Sequence, residues 1–381
     1  MFCSQFDRKQ LLTAMSTVAA VSTRDKTSPI YDCLMLSYND ETVKIYGTDG
    51  DMSFELLFER DNTDEKSLST GQILLPSKTV AMIRDLPTVE KVTIKLTKAG
   101  ESERIAISGD YGKFDLSLPG LPEEMPVFGV PDHYPNPVTI EGIKLKQAIA
   151  LTAFATTESS SAKHAISGVL IEVNATEGAI NFVSTDGHRL SFYSIMDEFK
   201  INASHIVPVK ALQLLSKTIQ DNEEIKIFFL TNGVMFQTST ATIYTGVVEG
   251  RFPNYRLILP DKAEKKFTVF AGNLLIALKA AAHGTDDESI WVEMDFHSNL
   301  LKISSMSPTR KSFVNLNFFG EVKNFKIRFN PKLVMDYLKH ILPDEEITFE
   351  MTTSARPIKM SHYDRYTYIV MPIELPEKPK K

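Results

Sequence analysis

Residues 185–190 read Thr-Asp-Gly-His-Arg-Leu, and Ser191 follows. One short stretch therefore carries a carboxylate, an imidazole, a guanidinium, an apolar tip and a hydroxyl. Asp186, His188 and Ser191 are the residue types of a nucleophilic hydrolase, but their spacing argues against that chemistry. An aspartate two positions before a histidine on one turn is poorly placed to orient the ring as a base. The chain also lacks a Gly-x-Ser-x-Gly elbow, a Walker loop and a His-Glu-x-x-His helix. The same groups suit binding. His188 and Arg189 offer donors to backbone or carboxylate groups, and Leu190 offers an apolar contact. No catalytic residue, cofactor or metal is expected.

These side chains need a turn between two strands. The apolar run Ala179–Val183 precedes the stretch, Ser191-Phe192-Tyr193 follows it, and Asp-Gly is a hairpin signal because glycine accepts positive φ. Thr48-Asp49-Gly50 places the same three residues between similar strands. Thr-Asp-Gly is therefore turn chemistry of a repeated scaffold. His-Arg-Leu occurs in only one copy, and that marks a site.

The repeat extends over the chain. A helix after the candidate cap Asp7 has Leu11, Leu12, Met15, Val18 and Ala19 on one face. Ala148, Ile149, Thr152 and Ala155 follow Lys146-Gln147 in the same way, and Leu274, Leu275, Leu278, Ala281 and Ala282 repeat the spacing. Each helix leads into paired strand-like runs: 33–36 with 43–46, 168–173 with 179–183, and 290–294 with 300–303. A second helix then opens at Pro76, Pro208 and Pro331, which are 132 and 123 residues apart, and further alternating strands follow. The pattern predicts an α+β chain of three similar domains, each with two helices packed on antiparallel sheets. The expected domains are 1–131, 138–259 and 261–381, with joints at Val130–Pro137 and near Leu259–Lys262.

The length of 381 residues fits two to four domains. No apolar run spans a membrane, and the N-terminus lacks the pattern of a signal peptide. The two cysteines, Cys3 and Cys33, point to a reducing, cytoplasmic setting without a disulfide framework or zinc set. The net charge is −6, so a nucleic-acid role requires lysines and arginines gathered on one surface. The polar helix faces supply them in every copy, and such a surface would meet phosphates without reading sequence. The candidates are Arg24 and Lys78, then Lys146, Lys210 and Lys217, then Lys279, Lys332 and Lys339.

Thr185–Leu190 resembles the signature of the bacterial DNA sliding clamp, the beta subunit of DNA polymerase III. Glu249-Gly250-Arg251-Phe252-Pro253-Asn254-Tyr255-Arg256 resembles the end of that family's second domain. Asp115-Leu116-Ser117-Leu118-Pro119 resembles the end of its first domain, and Ile369–Leu375 its C-terminal strand. The resemblance implies a head-to-tail homodimer, a ring with helices lining the hole, which slides on duplex DNA and tethers a polymerase without catalysing a reaction. It implies a pocket for a short motif of the polymerase, the clamp loader and other partners. From the signature the pocket takes Thr185, Gly187, His188, Arg189 and Leu190. From the other motifs it takes Pro253, Ile258, Ile369, Met371, Pro372, Ile373 and Leu375, with Ile166 nearby. Leu190, Ile258, Ile369 and Met371 would anchor the motif, and His188 and Arg189 would rim it. Phe114 and Leu116, alternating with Lys113 and Asp115, would pack across the subunit boundary beside Ala282. The chain departs from the family pattern at Leu257 and Glu374, where relatives often carry arginine. It also carries the extension Pro376–Lys381, which is expected to emerge beside the pocket. A competing reading is a repeat β-rich binding scaffold with no DNA role.

Overall fold

The computed structural model describes residues 3–22, 28–39, 41–60, 70–87, 90–99, 102–128, 136–157, 164–259, 263–297, 300–362 and 365–374. Arg24, the turn residues Asp40 and Ser298-Asn299, most of the two joints (130–135 and 260–262), Leu375 and Pro376–Lys381 lie outside the described residues.

One order of elements recurs three times. The first copy runs β1 (Cys3–Asp7), α1 (Arg8–Val18), β2 (Cys33–Tyr38), β3 (Thr42–Thr48), β4 (Met52–Glu59), β5 (Gly71–Pro76), α2 (Thr79–Asp85), β6 (Lys91–Ala99), β7 (Ser102–Ser108) and β8 (Lys113–Ser117). The second runs β9 (Val138–Glu141), α3 (Gly142–Thr152), β10 (Gly168–Asn174), β11 (Ala179–Thr185), β12 (Arg189–Met196), β13 (Ala203–Pro208), α4 (Val209–Ser216), β14 (Glu224–Phe229), β15 (Gly233–Gln237) and β16 (Ala241–Gly246). The third runs β17 (Lys265–Phe270), α5 (Ala271–Ala282), β18 (Val292–His297), β19 (Leu300–Met306), β20 (Lys311–Asn317), a short β21 (Phe319–Gly320), β22 (Phe325–Phe329), α6 (Pro331–Leu338), β23 (Glu346–Met351), β24 (Ile358–Ser361) and β25 (Tyr366–Val370).

The chain folds as two compact units, residues 1–145 with 210–247 and residues 146–209 with 248–381. The first holds a four-stranded sheet, β1-β6-β7-β8, and an eight-stranded one, β5-β2-β3-β4-β16-β15-β14-β9. The second holds β13-β10-β11-β12-β25-β24-β23-β17-β21 and β20-β19-β18-β22. The ladders are antiparallel. Those that join successive copies run from Met52↔Thr245 to Leu56↔Ala241 and from Arg189↔Val370 to Tyr193↔Tyr366.

Local signals explain most elements. Asp7 caps α1 by accepting the amide of Gln10 at 2.7 Å, and Leu11, Ala14, Met15 and Val18 form the buried stripe. Asn330 caps α6 in the same manner, with Pro331 in its first turn. The other two prolines do not open helices: Pro76 ends β5 and Pro208 ends β13. Both are edge strands of their sheets, where a residue without an N–H leaves no ladder bond unmade. Trp291 and Ile290 precede β18 rather than starting it. In the second unit the core is aromatic. Phe267 stacks on Phe349 at 4.6 Å, and Tyr337 on Tyr368 at 4.8 Å.

Candidate docking site

The turn between β11 and β12 is held by its own side chains. Thr185 Oγ1 donates to the carbonyl of Arg189 at 2.6 Å and accepts the Gly187 amide at 3.1 Å. Asp186 Oδ1 accepts the amides of His188 and Arg189 at 2.9 and 3.0 Å. Gly187 has φ of +90°, which L side chains rarely adopt. Asp186 is thus occupied with the loop. Ser191, fully buried, donates to the carbonyl of Leu151. Neither serves His188 as a triad partner.

Arg189 corrects the expectation of a free rim donor. Its side chain is 10% exposed, and three of its N–H groups have acceptors within the same unit. Nε binds Asp186 Oδ2, Nη1 binds Asp336 Oδ2 and Nη2 binds the Phe154 carbonyl, each at 2.9 Å. The guanidinium lies 5.4 Å from the Phe154 ring centroid. Burial alone would raise the Asp336 carboxyl, but hydrogen bonds from Lys339 and Arg189 outweigh it and hold the group below the usual carboxylate range. Arg189 is a buried brace that fixes the loop to α6.

Leu190 and Ile369 face each other across β12 and β25. They are 2% and 1% exposed and form an apolar cluster with Ala165, Leu170, Val183, Ile206 and Tyr255. Both lie inside that cluster, while Ile258 and Met371 stand out at 37% and 38% exposure. The Met371 amide donates to the His188 carbonyl at 2.8 Å, so the end of β25 is tied to the loop and the His188 ring stays exposed. Pro253 is exposed, and Ile166 and Pro372 are half-buried. Ile373 pairs with the Arg328 carbonyl at 2.8 Å and lines a cavity of about 460 Å³ along β22 with Glu293, Ser354 and Glu374. Leu375 lies outside the described residues.

A second brace was missed from the sequence. Tyr255 donates to Glu172 Oε2 at 2.8 Å, and Arg256 Nη2 reaches the same oxygen at 2.9 Å. Burial would raise Glu172, yet these bonds hold it below its ordinary value, while burial and Glu172 push the Tyr255 hydroxyl up. The brace fixes the 3-10 turn Tyr255–Leu257, which presents Leu257 at 81% exposure beside Ile258. Tyr255 and Arg256 stood inside the Glu249–Arg256 motif, so a signal was present; Phe154 and Asp336 had none.

The basic candidates separate by surroundings. Lys78, Lys210, Lys217, Lys279, Lys332 and Lys339 are exposed, and Lys146 is half-buried. The buried Ala211, Leu212, Leu214 and Leu215 of α4 leave Lys210 and Lys217 toward solvent. Lys339 is paired with Asp336 at 2.7 Å and Lys210 lies 3.4 Å from Asp49. At the open edge β8, Phe114 is half-buried but Leu116 is only 9% exposed, so much of its apolar surface is spent inside its own chain. Ala282, at the end of α5, is half-buried. Among the described residues no helix is long and apolar enough to cross a membrane.

Family models described as the N-terminal, central and C-terminal domains of the DNA polymerase III beta subunit match residues 4–128, 139–254 and 256–374. A beta sliding clamp of Staphylococcus epidermidis is 30% identical over 370 residues, covering 94% of this chain and 95% of that one. Among solved structures, a Bacillus subtilis DNA polymerase sliding clamp superposes with a TM-score of 0.87 at 21% identity, covering 98% of this chain and 99% of the other. One from Pseudomonas aeruginosa gives 0.86 at 22% identity, covering 98% and 100%.

Proposed function

The chain belongs to the family of the bacterial DNA polymerase III beta subunit, the beta sliding clamps, and we propose from that premise that it closes as a head-to-tail homodimer around duplex DNA in the cytoplasm and tethers a replicative polymerase there. It acts by topology and not by catalysis. The observation that carries the reading is that all three clamp domains follow one another along one chain, matching residues 4–374 almost without a gap. The domains are taken as 1–131, 138–259 and 261–381. A net charge of −6 fits a protein that holds DNA by enclosure instead of affinity.

The polymerase, the clamp loader and other partners dock a short motif on the second unit. Leu190 and Ile369 form the floor, Ile258 and Met371 the exposed anchor contacts, and Ile166, Thr185, Gly187, His188, Pro253 and Pro372 the surround; Ile373 and Leu375 complete the set that the family motif supplies. Arg189 holds the loop from beneath. Arg24, Lys78, Lys146, Lys210, Lys217, Lys279, Lys332 and Lys339 serve DNA collectively, each phosphate contact contributing little. Phe114 and Leu116 of one copy meet the region of Ala282 in the other. The rival reading, a scaffold without a DNA role, has no specific observation in its favour.

The test is retention after loading. With clamp loader and ATP, the chain should stay on nicked circular plasmid through gel filtration and be lost when the plasmid is linearised. Equal retention on both forms, or on neither, would overturn enclosure.

A further inference from the structure

The last strand of the second copy and the last strand of the third are left by the chain in the same way. Thr48↔Ser53 and Thr185↔Leu190 close loops of equal length. Tyr244 faces Ser53 and Ile369 faces Leu190, so Tyr244 and Ile369 hold equivalent places. Four residues further along come Val248 and Ile373. The Val248 amide donates to the Ile206 carbonyl of β13, and the Ile373 amide to the Arg328 carbonyl of β22, both at 2.8 Å. β13 and β22 are edges of their sheets. In both copies, then, the chain that leaves the last strand crosses an edge strand at one bond.

The strands beneath the crossing correspond as well. Ile206 faces Leu170, which faces Val183, two residues before Thr185. Arg328 faces Glu293, which faces Ser304, two residues before Met306; Met306↔Lys311 closes the third loop of that length. Two residues beyond Leu170 and Glu293 stand two carboxylates, Glu172 and Asp295. Glu172 accepts Tyr255 at 2.8 Å and Arg256 at 2.9 Å, seven and eight residues past the crossing at Val248. Asp295 is itself buried, but its partners, Lys326 at 2.6 Å and His297 at 3.2 Å, have side chains more than half exposed. Seven and eight residues past the crossing at Ile373 the sequence has Lys380 and Lys381, which lie outside the described residues. The cavity of about 460 Å³ along β22 is lined by Glu293, Lys326, Arg328, Ser354 and Glu374.

We propose that this cavity and the β22 edge are a docking site for the chain's own residues 376–381, with Lys380 and Lys381 at the Asp295 and Glu293 carboxylates, as Tyr255 and Arg256 stand at Glu172. Charge complements the seat. Residues 376–381 carry three lysines and one glutamate. The edge offers Glu293, Asp295 and the exposed Glu374, while Lys326 and Arg328 pair with the first two. Pro376 and Pro379 have no N–H, which suits a path along an edge strand where no ladder bond is asked of them. The consequence falls on the strand end that carries Met371. Its amide is tied to the His188 carbonyl, and the next tie along the chain is the Ile373 bond to Arg328. Seating the residues that follow holds that second tie closed. The inference needs only the internal repeat and one copy of the chain, so it stands apart from enclosure of DNA.

Hydrogen exchange, read by mass spectrometry over residues 369–375, tests the seat. Three chains are compared: the parent, a chain stopped after Leu375, and a full-length chain with Lys378→Glu, Lys380→Glu and Lys381→Glu. Both altered chains should exchange about tenfold faster than the parent at low salt, and the parent should approach them at high salt. The equivalent crossing at Val248 should be unchanged in all three. Equal exchange in the three chains would overturn the proposal, and so would faster exchange in the shortened chain alone, because the lysines would then have no part. Covalent trapping identifies the occupant. In a Cys3→Ser background, which leaves only the buried Cys33, Pro379→Cys with Lys326→Cys should form a disulfide within one chain on mild oxidation. Pro379→Cys with Asn315→Cys, on the opposite edge strand β20, should form it about tenfold more slowly. Equal rates would show residues 376–381 unseated, and a disulfide between two chains would give the site to a second copy; either result would overturn the proposal.

Discussion

The loops at Asp49–Met52 and Asp186–Arg189 share a backbone solution and differ in what is built on it. Thr48 Oγ1 donates to the Met52 carbonyl at 2.8 Å and accepts the Gly50 amide at 3.1 Å, as Thr185 does for Arg189 and Gly187 at 2.6 and 3.1 Å. Asp49 Oδ1 takes the amides of Asp51 and Met52, and Asp186 Oδ1 those of His188 and Arg189. Gly50 and Gly187 have φ of +98° and +90°. The loops diverge at the second carboxylate oxygen. Asp49 Oδ2 meets Lys210, a half-exposed lysine, at 3.4 Å, whereas Asp186 Oδ2 holds the buried Arg189 at 2.9 Å. The next position completes the contrast. Ser53 pairs with Tyr244, on which Phe128 stacks at 4.9 Å; Leu190 pairs with Ile369, flanked by the exposed Ile258 and Met371. A turn that only needs to turn is content with a surface ion pair and a covered ring. The turn that sets Leu190 against Ile369 is fixed by a buried cation.

The largest effect is expected where that fixing is removed. Arg189→Ala leaves Asp186 without its cation and Asp336 with Lys339 alone, and breaking a buried pair in this way should cost about 3–5 kcal/mol in denaturant unfolding. Asp336 also gives the prediction a pH signature. Its folded pKa is depressed, so its stabilisation is present above the unfolded carboxylate value of about 3.9 and is lost as pH falls through the lower folded value. Parent stability should fall across that acid range. The Arg189→Ala chain should fall somewhat less steeply there, because Lys339 still depresses Asp336 but the second cation that does so is gone. Identical slopes would mean that Arg189 does not set the Asp336 pKa.

A second effect separates docking from folding. Ile258→Ser and Met371→Ser remove exposed apolar surface, so thermal unfolding should move little while affinity for a clamp-binding peptide falls about 10- to 100-fold by calorimetry. At the first loop the reverse is expected. Phe128→Ala loses a ring stack on Tyr244, should cost about 1–2 kcal/mol of stability, and should leave peptide affinity unchanged. Peptide affinity lost with Phe128 and kept with Ile258 would interchange the roles of the two regions.

The sequence made the shared half of this comparison legible and left part of the other half hidden. Asp7 as a cap and Thr-Asp-Gly as a turn depend on residues within a few positions, and the three-fold order of elements shows in the spacing of apolar residues. Pro76 and Pro208 look locally the same as Pro331; only their place on sheet edges shows that they end strands. The inward turn of Arg189 depends on Asp336 and Phe154, which are 147 and 35 residues away, and nothing near Arg189 announces them. Leu116 alternates like an interface residue, yet its own sheet already buries it to 9% exposure. Periodicity gives the face a side chain takes, and not how much of that face remains uncovered.

The smallest effect belongs to Lys210. Its ammonium group lies 3.4 Å from both Asp49 Oδ2 and the Val21 carbonyl, and its side chain is 49% exposed. A pair this open gives back most of its Coulomb energy to solvent and to side-chain entropy, so Lys210→Ala should change stability by no more than about 0.5 kcal/mol. Asp49 keeps its two amide bonds, and the loop should keep its shape. If Lys210 serves DNA, the same substitution should speed loss from circular DNA, most visibly at low salt, where each phosphate contact counts most. Retention equal to the parent across the salt series would mean that Lys210 only closes off Asp49. A stability loss near that of Arg189→Ala would show that the first loop, too, depends on its cation, and the contrast between the two loops would disappear.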